Sequence, residues 1–420
     1  MPVGHVTVYD DLQGRTRLED QMPIMRPKGS RDWMQEYRIV IWILGAICIG
    51  NLFAEVLRAV SAPFETDYVL FFRLAGYMVL HNVHGLYCLS CQHQLMASLY
   101  GVVIRHGVDP WVFIFANPPF VALVFVPLAL LSPAAGLDVY LGLALLALAA
   151  SGVLLMRQYP RLMHPSSLVM LCSFPAMQVF ALAQIDVFMF AVASVGCVLI
   201  ERKNHVQAGM LLSLAFAKPQ LIWILIPALA VLRLWRVLLG VAAGGLLLFL
   251  LSLLTVGWAG LLEWIRALTH IGYGVSFVTV SIPGVLVRLH LTHPVIDAAS
   301  CFLAAGCLLM LARYRNSFAG DSLGLFGVVF AVTLAVTPHI LPYNLVFIAF
   351  PLLALARSRM PLAVVFGCAI SCAYLLDVVV PLQWSVAELV VVVVVCMEMF
   401  RMVGQMKTRD QVGRVEQTTA

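Results

Sequence analysis

Long apolar runs are the feature of this sequence that most limits its fold. A helix needs about 20 mostly apolar residues to cross a bilayer, and the runs that approach this length are 39–60, 138–156, 237–257, 295–312, 341–357, 361–377 and 384–402. Shorter or proline-broken stretches lie at 117–131, 167–200, 206–232 and 323–337. Charged residues make up only 11% of the chain, against about 25% in a soluble domain. We therefore predict an all-α, polytopic integral membrane bundle with about 11 to 13 crossings.

Basic residues set the predicted orientation, because short cytoplasmic loops are enriched in Lys and Arg. They cluster before the first apolar run, recur in short loops such as Arg202-Lys203, and fill the tail from Arg401 to Arg414. We predict a cytoplasmic segment at 1–38, a transmembrane domain at 39–402 and a cytoplasmic tail at 403–420, in the cell membrane.

Two long stretches then fall on the outer side, at 61–116 and 258–294. Loops longer than about 15 residues are usually functional or disordered, and these two are too aromatic and apolar to be disordered. We expect two large outer loops that frame a cavity at the membrane surface.

Asp67 is the first candidate for chemistry. It follows the first apolar run, in Pro63-Phe64-Glu65-Thr66-Asp67-Tyr68, where apolar neighbours would raise the pKa of its carboxyl group. Such a carboxylate suits a general base that acts on a sugar or lipid hydroxyl. The alternative is an interfacial acid that caps the next helix. Glu65, two residues away, competes for the same role.

Lys218 is the second candidate, because it follows an apolar run and precedes Pro219. A cation at membrane depth must be paired or must face a cavity. Lys218 therefore either binds a lipid-linked phosphate or extends to the headgroup region. Arg288, within the stretch 258–294, raises the same two possibilities.

His339 lies in Thr337-Pro338-His339, just before Pro342-Tyr343-Asn344. Prolines break helices, which a membrane protein tolerates where the backbone lines a cavity. His339 either contacts a phosphate or hydroxyl there, or is a hydrogen-bonded side chain of a polar turn. Gln184 and Asp186 form an isolated polar pair in an apolar stretch, and they either bind ligand or hold helices together.

A Cys and His cluster in the first outer stretch has the spacing of a zinc-ligand pair. Its members are His84, Cys88, Cys91 and His93, and no second, well-separated ligand pair accompanies them. A local disulfide and an ordinary loop are the alternatives. No Walker loop or Gly-rich dinucleotide loop occurs in a strand-turn-helix context, so a soluble nucleotide is not an expected partner. The net charge of +5 is small and reflects where the basic residues sit, so a nucleic acid is not expected either.

The order and spacing of these motifs resemble glycosyltransferase family 87, the integral-membrane GT-C enzymes that use polyprenyl-phosphate mannose. The resemblance covers roughly residues 60–350. Its landmarks are Asp67-Tyr68, Gly85-Leu86-Tyr87, Phe115-Ala116-Asn117-Pro118-Pro119-Phe120, Ala183-Gln184-Ile185-Asp186, Ala217-Lys218-Pro219-Gln220, Thr337-Pro338-His339 and Tyr343-Asn344. Three positions depart from the family pattern, since Ala183 replaces a Gly, Asn117 interrupts a Tyr-Pro-Pro type of helix entry, and Asn344 replaces an Asp.

This resemblance implies a GT-C fold and transfer of a hexose, mannose in this family, at the outer face of the membrane. The donor would be a polyprenyl-phosphate sugar held among membrane lipids, the acceptor a lipid or glycan, and the configuration would invert. Asp67 would be the general base, and Lys218 and His339 would stabilise the departing phosphate. The remaining implied substrate-binding residues are Gln184, Tyr343, Asn344, Arg288 and Glu65. Neither a cofactor nor a tightly bound metal is expected.

Two other classes of protein remain as alternatives. Broken helices such as 206–232 fit a secondary transporter or lipid flippase, although no internal repeat accompanies them. A non-catalytic membrane scaffold would be indicated by an Asp67 that lies far from Lys218 and His339.

Overall fold

Regular structure is entirely helical in the part of the chain that the computed structural model describes. That part comprises residues 38–102, 114–162, 167, 171–172, 174–271, 279–318, 320–379 and 389–401. Five of its helices are long and apolar enough to cross a membrane. The chain is an all-α polytopic membrane protein, as predicted.

Fourteen helices carry labels below, in chain order within the described residues. They are α1 (Arg38–Ser61), α2 (Leu74–His81), α3 (Leu89–Tyr100), α4 (Pro119–Ala129), α5 (Pro133–Gln158), α6 (Phe174–Ala181), α7 (Asp186–Glu201), α8 (His205–Leu212), α9 (Leu225–Val231), α10 (Trp235–Ile271), α11 (Ile282–Arg288), α12 (His293–Arg313), α13 (Ser322–Val336) and α14 (Ala349–Val379). A π-helical turn, Tyr68–Arg73, leads into α2. The 3₁₀ segments are Pro63–Glu65, Val83–Gly85, Pro160–Leu162, Ser213–Ala217, Pro219–Leu221, Arg315–Phe318 and Pro342–Ile348, and residues 389–401 are also helical.

The candidate spans coincide with the predicted apolar runs. Four of them are Ile39–Ser61, Pro133–Gln158, Trp235–Thr269 and His293–Arg313. The fifth, Pro342–Ala373, joins two runs that we predicted as separate helices. The chain leaves helical geometry between them at Arg359, just before Pro361, which explains why the sequence pattern divides there.

The two predicted outer loops are largely helical where the structure describes them. The first contains α2 and α3, and α10 continues beyond a non-helical residue, Gly257, as far as Ile271. Short helices satisfy their own backbone hydrogen bonds, which a segment this apolar needs near a bilayer. The side of the membrane on which they lie stays a prediction.

Close packing of α8 against α10 fixes the chain that leads to Lys218. A Cβ atom on Gly209 would lie 1.9 Å from the Val237 carbonyl oxygen, and one on Gly240 would lie 2.2 Å from that of Val206. Glycines allow the two backbones to approach this closely, as in other membrane helix pairs. The 3₁₀ segment Ser213–Ala217 continues from α8 and ends at Lys218.

Helix α13 lies in the interior of the protein. All 15 of its residues are buried, and it packs against α14 and the 3₁₀ segment Pro342–Ile348. Helix α6 packs on the same 3₁₀ segment. This packing places the turn after α6, which carries Gln184, beside Asn344.

Candidate active site

Gln184 lies at the centre of a network of polar side chains. The turn that carries it follows α6, and Ala183 enters the left-handed region there with a φ of 50°. The Leu182 carbonyl in this turn accepts a hydrogen bond of 2.8 Å from the backbone N–H of Asp67. The Gln184 amide N–H donates to Oδ2 of Asp67, and its carbonyl accepts from Nζ of Lys218 at 2.9 Å.

Lys218 also forms a buried ion pair with Asp186. Its Nζ lies 2.5 Å from Oδ2 of Asp186, and both side chains are almost completely buried. The second oxygen of Asp186 accepts a hydrogen bond of 2.6 Å from Nδ2 of Asn344. Asp186 opens α7, where the helix dipole adds to the stabilisation of a carboxylate.

Tyr343 and His339 also lie close to Lys218. Its Nζ lies 4.5 Å from the centre of the Tyr343 ring, a cation–π distance. Burial and the nearby Lys218 charge lower the pKa of His339 from 6.5 to about 4. His339 is therefore neutral at pH 7 and offers a hydrogen bond rather than a charge. Nε1 of Trp223 holds this turn by donating to Oγ1 of Thr337 at 2.8 Å.

The Asp67 carboxyl group has the environment of a general base. It lies outside the candidate spans, and its removal from water raises its pKa from 3.8 to about 6, although the Gln184 hydrogen bond and the Lys218 charge act the other way. The side chain is partly exposed and makes no capping bond to the helical turn that follows it. No described residue hydrogen-bonds its second oxygen, Oδ1, so this atom is available to a substrate hydroxyl.

A segment before α4 supports the Lys218 turn from the side. The Asn117 side chain donates to the Ala217 carbonyl at 2.8 Å, and the Asn117 carbonyl accepts from the Tyr87 hydroxyl at 2.7 Å. Gln92 joins Leu86 to the Phe115 N–H. This chain of contacts connects the first outer stretch to the residue that precedes Lys218.

Residues 115–342, more than half of the chain, match the sequence model of glycosyltransferase family 87. The chain belongs to this family. It is therefore a glycosyltransferase rather than a secondary transporter or lipid flippase. No curated protein and no solved structure matches the chain.

The region of the match includes Gln184, Lys218 and His339 but begins after Asp67. The family match therefore says nothing about Asp67, which is connected to the site by its contacts with Leu182 and Gln184. The structure brings Asp67 and Lys218 to the two ends of one amide, and Asn344 and Tyr343 to Lys218 or its ion-pair partner.

Two other predicted residues, Glu65 and Arg288, differ from each other in their surroundings. The Glu65 side chain is exposed at the end of its 3₁₀ turn. Arg288 is buried, and its guanidinium donates to the Thr279 carbonyl in the chain that leads into its own helix. That chain pairs with the His339 turn through the backbone, since the Val280 N–H donates to the Ile340 carbonyl at 2.7 Å. Substrate binding by Glu65 and Arg288 stays a prediction.

Cys88 and Cys91 form a disulfide, which was one of the three interpretations of the Cys and His cluster. Cys88 is also the N-cap of α3. No group of three or more metal-binding side chains occurs in the described part of the chain.

Two residues of the network were undervalued at the sequence level. We weighed Asp186 only as the neighbour of Gln184, although a buried Lys218 requires an anion and Asp186 is the carboxylate nearest to Gln184 in the same apolar stretch. We noted Asn117 only as a departure from the family pattern. A single amide before two prolines in an apolar stretch was the available signal, because a buried amide needs partners.

Two apolar grooves include residues that are close in sequence to the network. One, of about 550 Å³, includes Phe216 and Pro219, which flank Lys218 in the sequence, and Phe249 on α10. The other, of about 470 Å³, includes Ile185 and Ala217. Phe249, in the first groove, and Val124, in the second, are exposed on the protein surface, so both grooves open at that surface.

Proposed function

We propose that this family 87 enzyme transfers a hexose, mannose in our proposal, from a polyprenyl-phosphate donor to a hydroxyl of a lipid or glycan acceptor. The transfer takes place at the outer face of the membrane and inverts the anomeric configuration. Asp67 is the general base. The observation that carries this proposal is the free oxygen of Asp67, whose other oxygen is held by a Gln184 amide that also contacts Lys218.

Asp67 suits this step because of its pKa and its geometry. A base works best when its pKa is close to the working pH, and burial moves the pKa of Asp67 to about 6. Oδ2 is held by Gln184, which leaves Oδ1 to accept the proton of the acceptor hydroxyl. The alkoxide that develops attacks the anomeric carbon from the face opposite the phosphate, so the C–O bond to the phosphate breaks as the new glycosidic bond forms.

The leaving phosphate collects negative charge in the transition state and needs donors that are already in place. We assign His339 to this contact as a neutral hydrogen-bond donor, with Tyr343 beside it. Arg288 and Glu65 are proposed to reach the sugar or the acceptor.

A lipid-linked donor is supported by the grooves. They consist almost wholly of apolar side chains, which suits an isoprenoid chain that stays in the bilayer. Each includes residues close in sequence to the network, Pro219 in one and Ile185 and Ala217 in the other.

Identification of the product tests this proposal. Purified enzyme is incubated with a panel of labelled polyprenyl-phosphate hexoses and native lipid extract, and the products are characterised by mass spectrometry and by NMR of the anomeric proton. We expect one inverted glycoside, from the mannose donor, together with free polyprenyl phosphate. Retention of configuration would exclude a single displacement by a hydroxyl that Asp67 activates, and transfer only from a nucleotide sugar would exclude the lipid donor.

A further inference from the structure

The Gln184 amide is placed between one group that can only accept hydrogen bonds and one that can only donate them. The Asp67 carboxylate accepts, and the Lys218 ammonium donates. Only one orientation of the amide satisfies both neighbours, with its NH₂ towards Asp67 and its carbonyl towards Lys218. The opposite orientation would place the carbonyl against the carboxylate and the NH₂ against the ammonium.

Lys218 is itself fixed from behind. Both oxygens of Asp186 are used, one by Lys218 and the other by Asn344. Oδ1 of Asn344 in turn accepts from the Leu341 N–H at 2.8 Å. For Lys218 to move out to a substrate phosphate, the chain would have to break a buried ion pair and leave Asp186 without its cation, which is costly.

We propose that Lys218 is a positioning residue, which acts through Gln184 to fix the Asp67 carboxylate with Oδ1 towards the acceptor. This role differs from that of a phosphate ligand, which we had predicted from the family resemblance. The proposal rests on Asp67 being the base of the proposed reaction. Asp186 and Asn344 support the same function indirectly, because Asp186 holds Lys218 and Asn344 holds Asp186.

The test needs a variant that removes Lys218 without leaving a buried charge. In K218M/D186N, both members of the ion pair become neutral, and the introduced asparagine amide retains an oxygen for Asn344. Because a positive and a negative charge disappear together, the direct electrostatic effect on Asp67 largely cancels. Any change in Asp67 then reports the orientation of Gln184. Q184L removes the amide itself, and R357M/D321N removes an ion pair elsewhere in the protein as a matched control.

Kinetics separate the two roles of Lys218. For a positioning residue, we expect kcat to fall by about 10²-fold in Q184L and in K218M/D186N, the usual effect of a misplaced reacting group. The donor KM and inhibition by polyprenyl phosphate should stay within about threefold of wild type. The combined variant K218M/D186N/Q184L should be no slower than either parent variant, because the two changes interrupt one pathway. Multiplied losses in kcat together with a raised donor KM would overturn the proposal and make Lys218 a phosphate ligand.

A second measurement does not depend on turnover. Infrared difference spectra between each protein and its D67N derivative titrate the Asp67 carboxyl group directly. We expect its pKa to rise by about one unit or more in Q184L, which removes the donor to the carboxylate, and by a similar amount in K218M/D186N, which removes the group that orients this donor. R357M/D321N should titrate like wild type. An unchanged Asp67 pKa in K218M/D186N would overturn the proposal even if the enzyme transfers the sugar. A shifted Asp67 pKa in a protein that shows no transfer would contradict the proposed reaction but would still support the contact from Lys218 through Gln184 to Asp67.

Discussion

The two ends of helix α7 carry similar side chains but use them differently. At the first end, Asp186 is paired with Lys218, and the network continues through Gln184 to Asp67. At the other end, Glu201 accepts from the Ser322 N–H at 2.8 Å. Both oxygens of Asp321 there receive hydrogen bonds from Arg357, at 2.6 and 2.7 Å. The helix has 16 residues, so the two clusters are separated by about 24 Å.

The two ends differ in burial, since the Lys218–Asp186 pair is almost completely buried and the Arg357–Asp321 pair is partly exposed. At the Glu201 end, Asp321 also caps α13 through the Gly324 N–H and the Arg357 guanidinium packs over the Tyr159 ring. The Asp186 end terminates in Asp67, whose Oδ1 has no partner among the described residues. Similar residue types stabilise helix ends in one cluster and hold Asp67, the proposed base, in the other.

The largest expected difference between the two clusters is the free energy of unfolding that is lost when each ion pair is broken. Asp186→Ala leaves Lys218 buried without a partner, so we expect a loss of about 3–5 kcal/mol in the free energy of unfolding. Asp321→Ala should cost less, about 1 kcal/mol, because Arg357 and Asp321 are partly exposed. Denaturant unfolding in detergent measures both. Equal losses would show that burial does not distinguish the two clusters.

Close packing of α8 against α10 should also be sensitive. Gly240→Ala places a methyl group 2.2 Å from the Val206 carbonyl oxygen, and we expect a cost of about 1–3 kcal/mol as the helices separate. Because α8 leads to Lys218, transfer activity should fall as well. Gly142→Ala, where a methyl group would meet nothing within 4 Å, is the control. A stable, fully active Gly240→Ala protein would contradict this view of the interface.

The pH dependence of kcat distinguishes a base from a structural carboxylate. The base acts in its deprotonated form, and the pKa of Asp67 is raised to about 6. The rate should therefore be level above this pH and fall by about tenfold for each pH unit below it. A rate that stays level down to about pH 4, well below that pKa, would contradict the raised pKa or the role of Asp67.

The left-handed turn before Gln184 should give the smallest effect. Ala183 has a φ of 50°, which costs about 1 kcal/mol or more for a residue with a Cβ atom. We expect Ala183→Gly to raise the melting temperature slightly or to leave it unchanged. Ala193→Gly, inside α7, should lower stability by about 1 kcal/mol. If both variants lose the same stability, Ala183 is not strained.

The sequence was sufficient for the membrane class and for most of the long helices, because apolar length is a local property. It also singled out Asp67, Gln184, Lys218 and His339, because each of them is a polar residue in an apolar stretch. It did not reveal that Asp186 is the partner of Lys218, or that Asn117 holds the preceding carbonyl. These contacts join residues that lie 32 and 100 positions apart, and local patterns carry no information on such pairings. The helical character of the outer stretches was missed because turn residues and His obscure short helices.

The most direct test of the central claim is the transfer rate of Asp67→Asn, measured with labelled polyprenyl-phosphate mannose beside the Asp321→Asn control. Asparagine keeps the shape of the side chain but cannot accept the proton. We predict a rate at least about 10²-fold below wild type, with unchanged binding of polyprenyl phosphate and with near-normal activity in Asp321→Asn. A wild-type rate in Asp67→Asn would contradict the assignment of Asp67 as the base.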